Sequence, residues 1–417
     1  MPTLRWFSIP LLTLAGMAGF VYWAFPEDLS TGRTLGIALG WAGCGLLLSN
    51  LLLMLREARL ARWLGGLERM YQWHHWTGMA AYILLLVHPL ALSADAWMES
   101  PALAWETLSP FNENWPVWMG WLSLVLLMLG LAATFERRVP YRTWRALHAG
   151  LGLAVLLGLV HLVLLGIDEP VLPILGFAAL LLGWRVIRGD FGVGARPYVV
   201  KSAVPVADGM VEISLTPLAD AVKVTPGQFV LVAFFEGASF RGCGEFHPFT
   251  VTSAGVDHLI RLGVKALGDC TRHIQSIEPG VMARVQGAYG AFLAGQPTTP
   301  QLWVAGGIGV TPFLALLRSG PVTQPTTLLY LYRAESDAAF REELRVLAEA
   351  DPRLDLQAVA TGNELPDLNS LLPDAQRLAG YECYLCGPPG MMTGLTRALR
   401  HRGIPARHIH FENFEFR

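Results

Sequence analysis

HHWTGMAAYILLLVH, residues 74–88, and HAGLGLAVLLGLVH, residues 148–161, decide the fold, because each is an apolar run closed at both ends by histidine. From His74 to His88 is 14 residues, about 21 Å of helical rise and within ~40° of one face. From His148 to His161 is 13 residues, which leaves the two side chains ~140° apart on an ideal helix. That second helix therefore needs a tightened turn, a bend, or sites offset sideways. His75 rivals His74, since it also stands 13 residues before His88; helix geometry prefers His74. Ionisable groups at membrane depth are costly and mark functional positions. Two helices of the same direction bring His74 to the level of His148 and His88 to the level of His161. Two neutral imidazoles at each level suit axial ligation of haem iron.

Working outward, six apolar stretches precede residue 190, near 7–25, 34–55, 71–93, 116–134, 146–166 and 170–187. Each approaches the roughly 20 residues that cross a bilayer core. The first has no small-x-small cleavage site, so it reads as a transmembrane helix rather than a signal peptide. Arginines cluster at 56–69, at 137–145 and at Arg185 and Arg188, whereas the alternate loops carry Asp95, Glu99, Glu106, Asp168 and Glu169. Arg33 alone dissents. This asymmetry places both termini in the cytoplasm and predicts an integral membrane protein. The Trp-rich, acidic loop 94–116 reads as a membrane-interface belt, with docking of a periplasmic partner as the alternative.

The chain of 417 residues is 53% hydrophobic and 15% charged, with net charge −2. That composition is too apolar for a soluble protein and too charged for membrane throughout, and it offers no basic surface for nucleic acid. Five cysteines, at 44, 243, 270, 383 and 386, are odd in number and scattered, which argues against a disulfide framework. Cys383 and Cys386 form a lone C-x-x-C with no second pair to complete a zinc site. On a strand these two cysteines face opposite ways.

After Arg188 the texture changes. Short alternating runs such as MVEISLTPL and GQFVLVAFF read as antiparallel strands of a small barrel. From about 299 the order becomes strand, glycine turn, helix, strand, the pattern of a parallel α/β sheet. The expected division is a six-helix transmembrane domain at 1–192, a β-barrel domain at 193–298 and an α/β domain at 299–417. EFHPFTVTSA, 245–254, is a strand interrupted by Pro248, as where a flat ligand lies against the backbone. GDCT, 268–271, opens a short helix, a ready diphosphate site. VAGGIGVTPF, 304–313, is not the G-x-G-x-x-G fingerprint, but its glycines allow close approach after a strand. CGPPGMM, 386–392, is a second glycine turn after a later strand of the sheet, where open α/β sheets bind ligands.

These motifs and the tail FENFEFR resemble the ferredoxin-reductase-type flavoprotein module, and the histidine-bounded helices resemble the ferric-reductase-type transmembrane domain. In this order they are similar to the NADPH oxidase and ferric reductase superfamily, bacterial branch, over almost the whole chain. The resemblance implies FAD, two b-type haems and NADPH (or NADH) as cofactors. It implies His74, His88, His148 and His161 as haem ligands. It assigns His247, Pro248, Phe249 and Thr250 to the isoalloxazine, and Gly268, Asp269 and Thr271 to the FAD diphosphate. Gly306, Gly307, Gly309, Thr311 and Pro312 match the nicotinamide-nucleotide loop, and Cys386, Gly387 and Pro388 the segment beside the nicotinamide. Phe416 resembles the aromatic that covers the flavin, and Arg333 the arginine that meets a 2′-phosphate. The implied activity is transfer from NADPH through FAD and haem to oxygen or a ferric chelate outside. Two positions depart from the family pattern: Ala288 in GAYG stands for a proline, and Leu92 for a histidine of the animal oxidases.

Overall fold

The computed structural model describes residues 7–24, 28–111, 114–136, 138–254, 258–295, 298–362 and 368–412. The chain divides into two compact units, Met1–Phe191 and Gly192–Arg417.

The first unit is helical: α1 (Ser8–Ala24), α2 (Thr31–Leu53), α3 (Ala58–Trp63), α4 (Leu67–Trp97), α5 (Pro101–Leu108), α6 (Trp115–Phe135), α7 (Tyr141–Leu164) and α8 (Asp168–Arg185). Five of these helices are long and apolar enough to cross a membrane: α2, α4, α6, α7 and α8 with its continuation to Asp190. The expected first span is shorter than the others. Its 17 residues give about 26 Å of helix, and a hydroxyl pair, Thr13 with Ser49, joins it to α2. Glycine lets helix backbones approach closely. A Cβ on Gly36 would lie 2.6 Å from Leu92 Cδ2, and one on Gly43 2.6 Å from Leu85 Cγ, so α2 packs tightly on α4. Gly130 of α6 does the same against Leu151 of α7, at 2.8 Å from Cγ. At one end of the bundle Arg145 (2.9 Å) and Arg185 (3.1 Å) converge on Asp190, and Arg188 meets Glu57 at 3.2 Å. The loop expected at 94–116 is partly helix, because Ser100 caps α5 by accepting from the Leu103 amide and Pro101 opens its first turn.

The second unit holds a closed antiparallel barrel of β1 (Arg196–Ala207), β2 (Met210–Pro217), β3 (Phe229–Phe234), β4 (His247–Ala254), β5 (Ile260–Lys265) and β6 (Met282–Tyr289), in the order β1-β2-β5-β4-β3-β6. The short α9 (Asp269–Ile274) lies between β5 and β6. Alternation along the strands fills the barrel, as with Val211, Ile213 and Leu215 of β2 and Phe249 and Val251 of β4. A five-stranded parallel sheet follows, built from β7 (Gln301–Gly306), α10 (Thr311–Ser319), β8 (Thr326–Tyr332), α11 (Arg341–Ala350), β9 (Leu354–Ala360), α12 (Leu368–Leu371), α13 (Ala375–Leu378), β10 (Glu382–Cys386), α14 (Pro389–His401) and β11 (Ile409–Glu412). Its order is β11-β10-β7-β8-β9. The chain thus winds one way from β7 to β9 and the other way through β10 and β11, and the order reverses between β7 and β10.

One expectation is corrected. Cys243 and Cys270 are joined as a disulfide, with Cα atoms 5.7 Å apart. Their 27-residue separation in sequence hid a spatial adjacency: the loop after β3 folds back, with the Cys243 amide donating to the Phe234 carbonyl, 3.1 Å. Cys383 and Cys386 do face opposite sides of β10, one in each apolar layer flanking the sheet. Burial first, then the neighbouring Glu382 carboxylate, pushes the Cys383 thiol up to about 12.

Candidate functional site

In the membrane unit the four singled-out histidines form two pairs. His74 of α4 and His148 of α7 have ring centres 5.9 Å apart. His88 and His161, farther along the same two helices, lie close enough to interact electrostatically. His75 faces outward, exposed, edge-on to Trp76. Helix α7 is a single helix from Tyr141 to Leu164, so the 13-residue spacing offsets its two histidines around the helix.

Every one of the four imidazoles has Nδ1 committed. His88 donates to the Gly36 carbonyl (2.7 Å) and His161 to the Pro116 carbonyl (2.7 Å). His74 Nδ1 lies 3.2 Å from the Asn50 carbonyl and 2.6 Å from the Asn50 side-chain amide, whose nitrogen donates to it in the orientation that satisfies its neighbours. His148 meets Thr134 Oγ1 at 3.2 Å; since that hydroxyl already donates to the Gly130 carbonyl, it accepts from the imidazole. A carbonyl only accepts, so at His88 and His161 these bonds fix the proton on Nδ1 and leave Nε2 for a metal. Clearance for the rings comes from glycine. A Cβ on Gly40 would fall 2.9 Å from His88 Nδ1, and one on Gly120 3.1 Å from His161 Nε2. These features fit haem. Metal–imidazole bonds of about 2 Å on each side, plus ring radii of about 1 Å, give a centre-to-centre distance of ~6 Å, close to that of the His74–His148 pair.

In the second unit, the HPFT strand β4 pairs with β3 and β5. Phe249 points into the barrel core beside Phe234, while Pro248 and Thr250 alternate to the other face. His247 Nε2 is 4.0 Å from Glu245. In the GDCT turn, Thr271 Oγ1 accepts from the amides of Leu267 (2.9 Å) and Gly268 (2.8 Å), which fixes the turn. Asp269 is exposed and paired with Arg272, and Cys270 is tied to Cys243.

The two glycine turns meet at the strand-order reversal. Gly306 and Gly307 end β7, and Thr311 Oγ1 donates to the Ile308 carbonyl (2.9 Å) with Pro312 in the first turn of α10. A Cβ on Gly309 would collide with the Cys386 carbonyl group, and one on Gly387 would lie 3.1 Å from the Gly306 backbone. Pro388 Cδ stands 2.9 Å from the Cβ position of Gly306. The turns are therefore pressed backbone to backbone above the crevice where such sheets bind ligands. Gly307, at φ +54°, holds a left-handed conformation that favours glycine. Cys386 is fully buried. Arg333 is exposed after β8, its carbonyl accepting from the Gly362 amide at 3.0 Å. Phe416 lies outside the described residues.

The sequence reading missed the groups that bind the barrel to the glycine turn after β7 and to α10. Gly263 of β5 packs against Thr311, 2.7 Å from its Cγ2 to a Cβ position, and Lys265 Nζ stands 3.8 Å from that of Gly307. Arg318, at the end of α10, bonds Glu212 and Thr252 of the barrel. The one trace in the sequence is the charge of Glu212 inside the otherwise apolar alternation of MVEISL.

Comparison with known proteins finds three family matches along the chain. Residues 39–159 match a family described as "Ferric reductase like transmembrane component", 198–311 an "FAD-binding domain" and 303–397 an "Oxidoreductase NAD-binding domain". Relatives include the ferredoxin–NAD(P)(+) reductase component of naphthalene 1,2-dioxygenase/salicylate 5-hydroxylase systems from Ralstonia sp., 29% identical over 47% of this chain and 62% of that protein. The ferredoxin reductase component of 3-ketosteroid-9-alpha-monooxygenase from Mycolicibacterium smegmatis is 30% identical over 47% of this chain and 57% of that protein. The chain thus spans about three fifths of the length of these relatives. The FAD/NAD-binding domain of a Vibrio cholerae nitric oxide dioxygenase is similar in structure, with TM-score 0.45 and 20% identity over 52% of this chain and 98% of that one.

Proposed function

We propose that this chain, a ferric-reductase and NADPH-oxidase type fusion of a transmembrane component with FAD- and NAD-binding domains, passes electrons from NADPH through FAD and two b-type haems to an acceptor outside a bacterial inner membrane. In its broader terms the chain is an integral membrane NAD(P)H oxidoreductase. The observation that carries the finer reading is the placement of two histidines at each of two levels along α4 and α7, each imidazole held through Nδ1. When bound, FAD links the two-electron chemistry of a nicotinamide to single electrons, and haem iron carries these one at a time.

The chain's own part is positional. His74 with His148 and His88 with His161 hold the two irons. With two imidazoles holding each iron, the acceptor would be reduced without binding to the metal. Pro248 and Thr250 line the flavin strand, Thr271 shapes the diphosphate turn, and Gly306 to Pro312 with Cys386 to Pro388 admit the nicotinamide nucleotide. The acceptor we favour is oxygen, giving superoxide, or a ferric chelate; supply of a periplasmic partner is the alternative. The test is an acceptor screen on purified, haem-loaded protein driven by NADPH. Cytochrome c reduction abolished by superoxide dismutase marks oxygen. Chelate reduction that persists without oxygen marks iron, and turnover only with an added periplasmic protein marks a partner. A purified protein without b-type haem absorbance ends the reading.

Arg333 carries the coenzyme preference in this reading. An Arg333→Ala variant is expected to raise the KM for NADPH about tenfold, the worth of roughly one charged hydrogen bond, and to leave that for NADH unchanged. Equal effects on both coenzymes refute the assignment.

A further inference from the structure

Arg318 sits where three elements meet and its guanidinium is fully engaged. It donates to Glu343 of α11 through Nε (2.6 Å) and Nη2 (2.7 Å). It reaches the barrel through Nη1, which bonds Glu212 Oε1 (2.6 Å) and the Thr252 carbonyl (3.1 Å), and through Nη2 to Glu212 Oε2 (3.3 Å). The Thr252 hydroxyl closes the ring by donating to Glu212. The Arg318 side chain is 18% exposed and that of Glu212 14%, while that of Glu343 is 39% exposed, so the cluster is buried on its barrel side and reaches solvent at Glu343. Burial alone would lower the guanidinium pKa; the Glu343 and Glu212 carboxylates outweigh it and hold it above its ordinary value.

The placement of the cluster gives it a consequence. Thr252 is two residues beyond Thr250 on the flavin strand, and Glu212 lies on β2. Arg318 ends the helix that starts at Thr311 and Pro312 of the nicotinamide loop. A second contact, Gly263 against Thr311, lies at the other end of the same helix. Two fixed points along α10 define its direction against the barrel, and one would leave it free to pivot. Buried bidentate charge pairs supply geometry more readily than net stability.

We propose that Arg318 is a positioning residue: bridging Glu212 and Thr252 on one side and Glu343 on the other, it sets the angle at which the nicotinamide loop is presented to the flavin strand. This rests on the reading that a nicotinamide reduces the flavin in this module. The full-length protein, loaded with FAD and haem, is mixed with NADPH without oxygen, and flavin bleaching and the long-wavelength charge-transfer band are followed in stopped flow. Arg318→Met is expected to slow flavin reduction about tenfold per bound FAD, since ångström-scale misalignment of reactants carries penalties of that order or more. The band weakens while the KM for NADPH stays within about twofold. Arg318→Lys, a point charge that cannot bridge both carboxylates in bidentate fashion, and Glu212→Gln are expected to fall between, and they serve if Arg318→Met does not fold. Wild-type rates in these variants overturn the proposal. So does a fall in FAD content or melting temperature with the rate per bound flavin unchanged, which is a structural role only. If the wild-type flavin is not reduced by NADPH, the activity reading falls together with this inference, and that outcome is distinct from the others.

Discussion

A His88→Ala protein is expected to retain one of the two haems proposed for the parent, and to lose NADPH-driven reduction of any external acceptor by at least about 100-fold. Removing a group that merely orients a metal ligand costs 10–100-fold, and here the ligand itself goes. The pairing with His161 means that alanine at either position should empty the same level, whereas the His74–His148 level, 5.9 Å between ring centres, stands on its own hydrogen bonds to Asn50 and Thr134. Flavin reduction by NADPH should stay at the parental rate, because the mutation touches the membrane unit alone. The measurement is the haem-to-flavin ratio from the pyridine haemochromogen and flavin absorbance, with stopped-flow flavin reduction alongside. A His75→Ala protein provides the contrast. Its imidazole is exposed and faces Trp76, so both haems should remain. A full haem complement in His88→Ala, or haem loss in His75→Ala, would sink the ligand assignment.

The sequence exposed the membrane unit through period and charge. The 14-residue interval between His74 and His88 could be read as one helix face without any partner in view. The same interval favoured His74 over His75, and α7 places His148 beside His74. The barrel and the parallel sheet were legible for a similar reason: alternation in MVEISLTPL and the strand–glycine–helix order are local patterns. What the sequence hid was nonlocal. Cys243 and Cys270 meet because the loop after β3 turns back on the strand, and no spacing rule anticipates that. Arg318 and Glu212 are 106 residues apart, and each alone reads as a solvated charge. Phe249 was grouped with its motif neighbours, yet strand alternation sends it into the barrel core while Pro248 and Thr250 face the other way. A motif marks a segment, and the pleat then divides its residues between two environments.

The nicotinamide turns offer the sharpest steric test. A Cβ on Gly309 would overlap the Cys386 carbonyl oxygen, stand 2.6 Å from its carbonyl carbon and 3.0 Å from the Gly387 amide nitrogen. All three are backbone atoms, so no side chain can swing aside. The two turns must separate instead, and forcing a methyl group into a closed contact costs about 1–3 kcal/mol. The turns end adjacent strands, with Cys386 in register with Ala305, so separation widens the crevice proposed to hold the nicotinamide. Displacement of a reacting group by about 1 Å can cost ~100-fold in rate. Gly309→Ala is therefore expected to slow NADPH-dependent flavin reduction by about 10- to 100-fold while haem and FAD contents stay at the parental level, since the atoms nearest the new methyl group all belong to the Cys386–Gly387 turn. Chemical reduction of the haems by dithionite should be unchanged, which separates a lost electron source from a broken electron path. Gly390→Ala is the control. That glycine lies in the first turn of α14, where a Cβ would meet nothing within 4 Å, and activity within about twofold of the parent is expected for a substitution that disturbs no contact. Parental rates in Gly309→Ala would mean that the crevice between β7 and β10 does not hold the nicotinamide, and the loop would have to be reread as a packing turn.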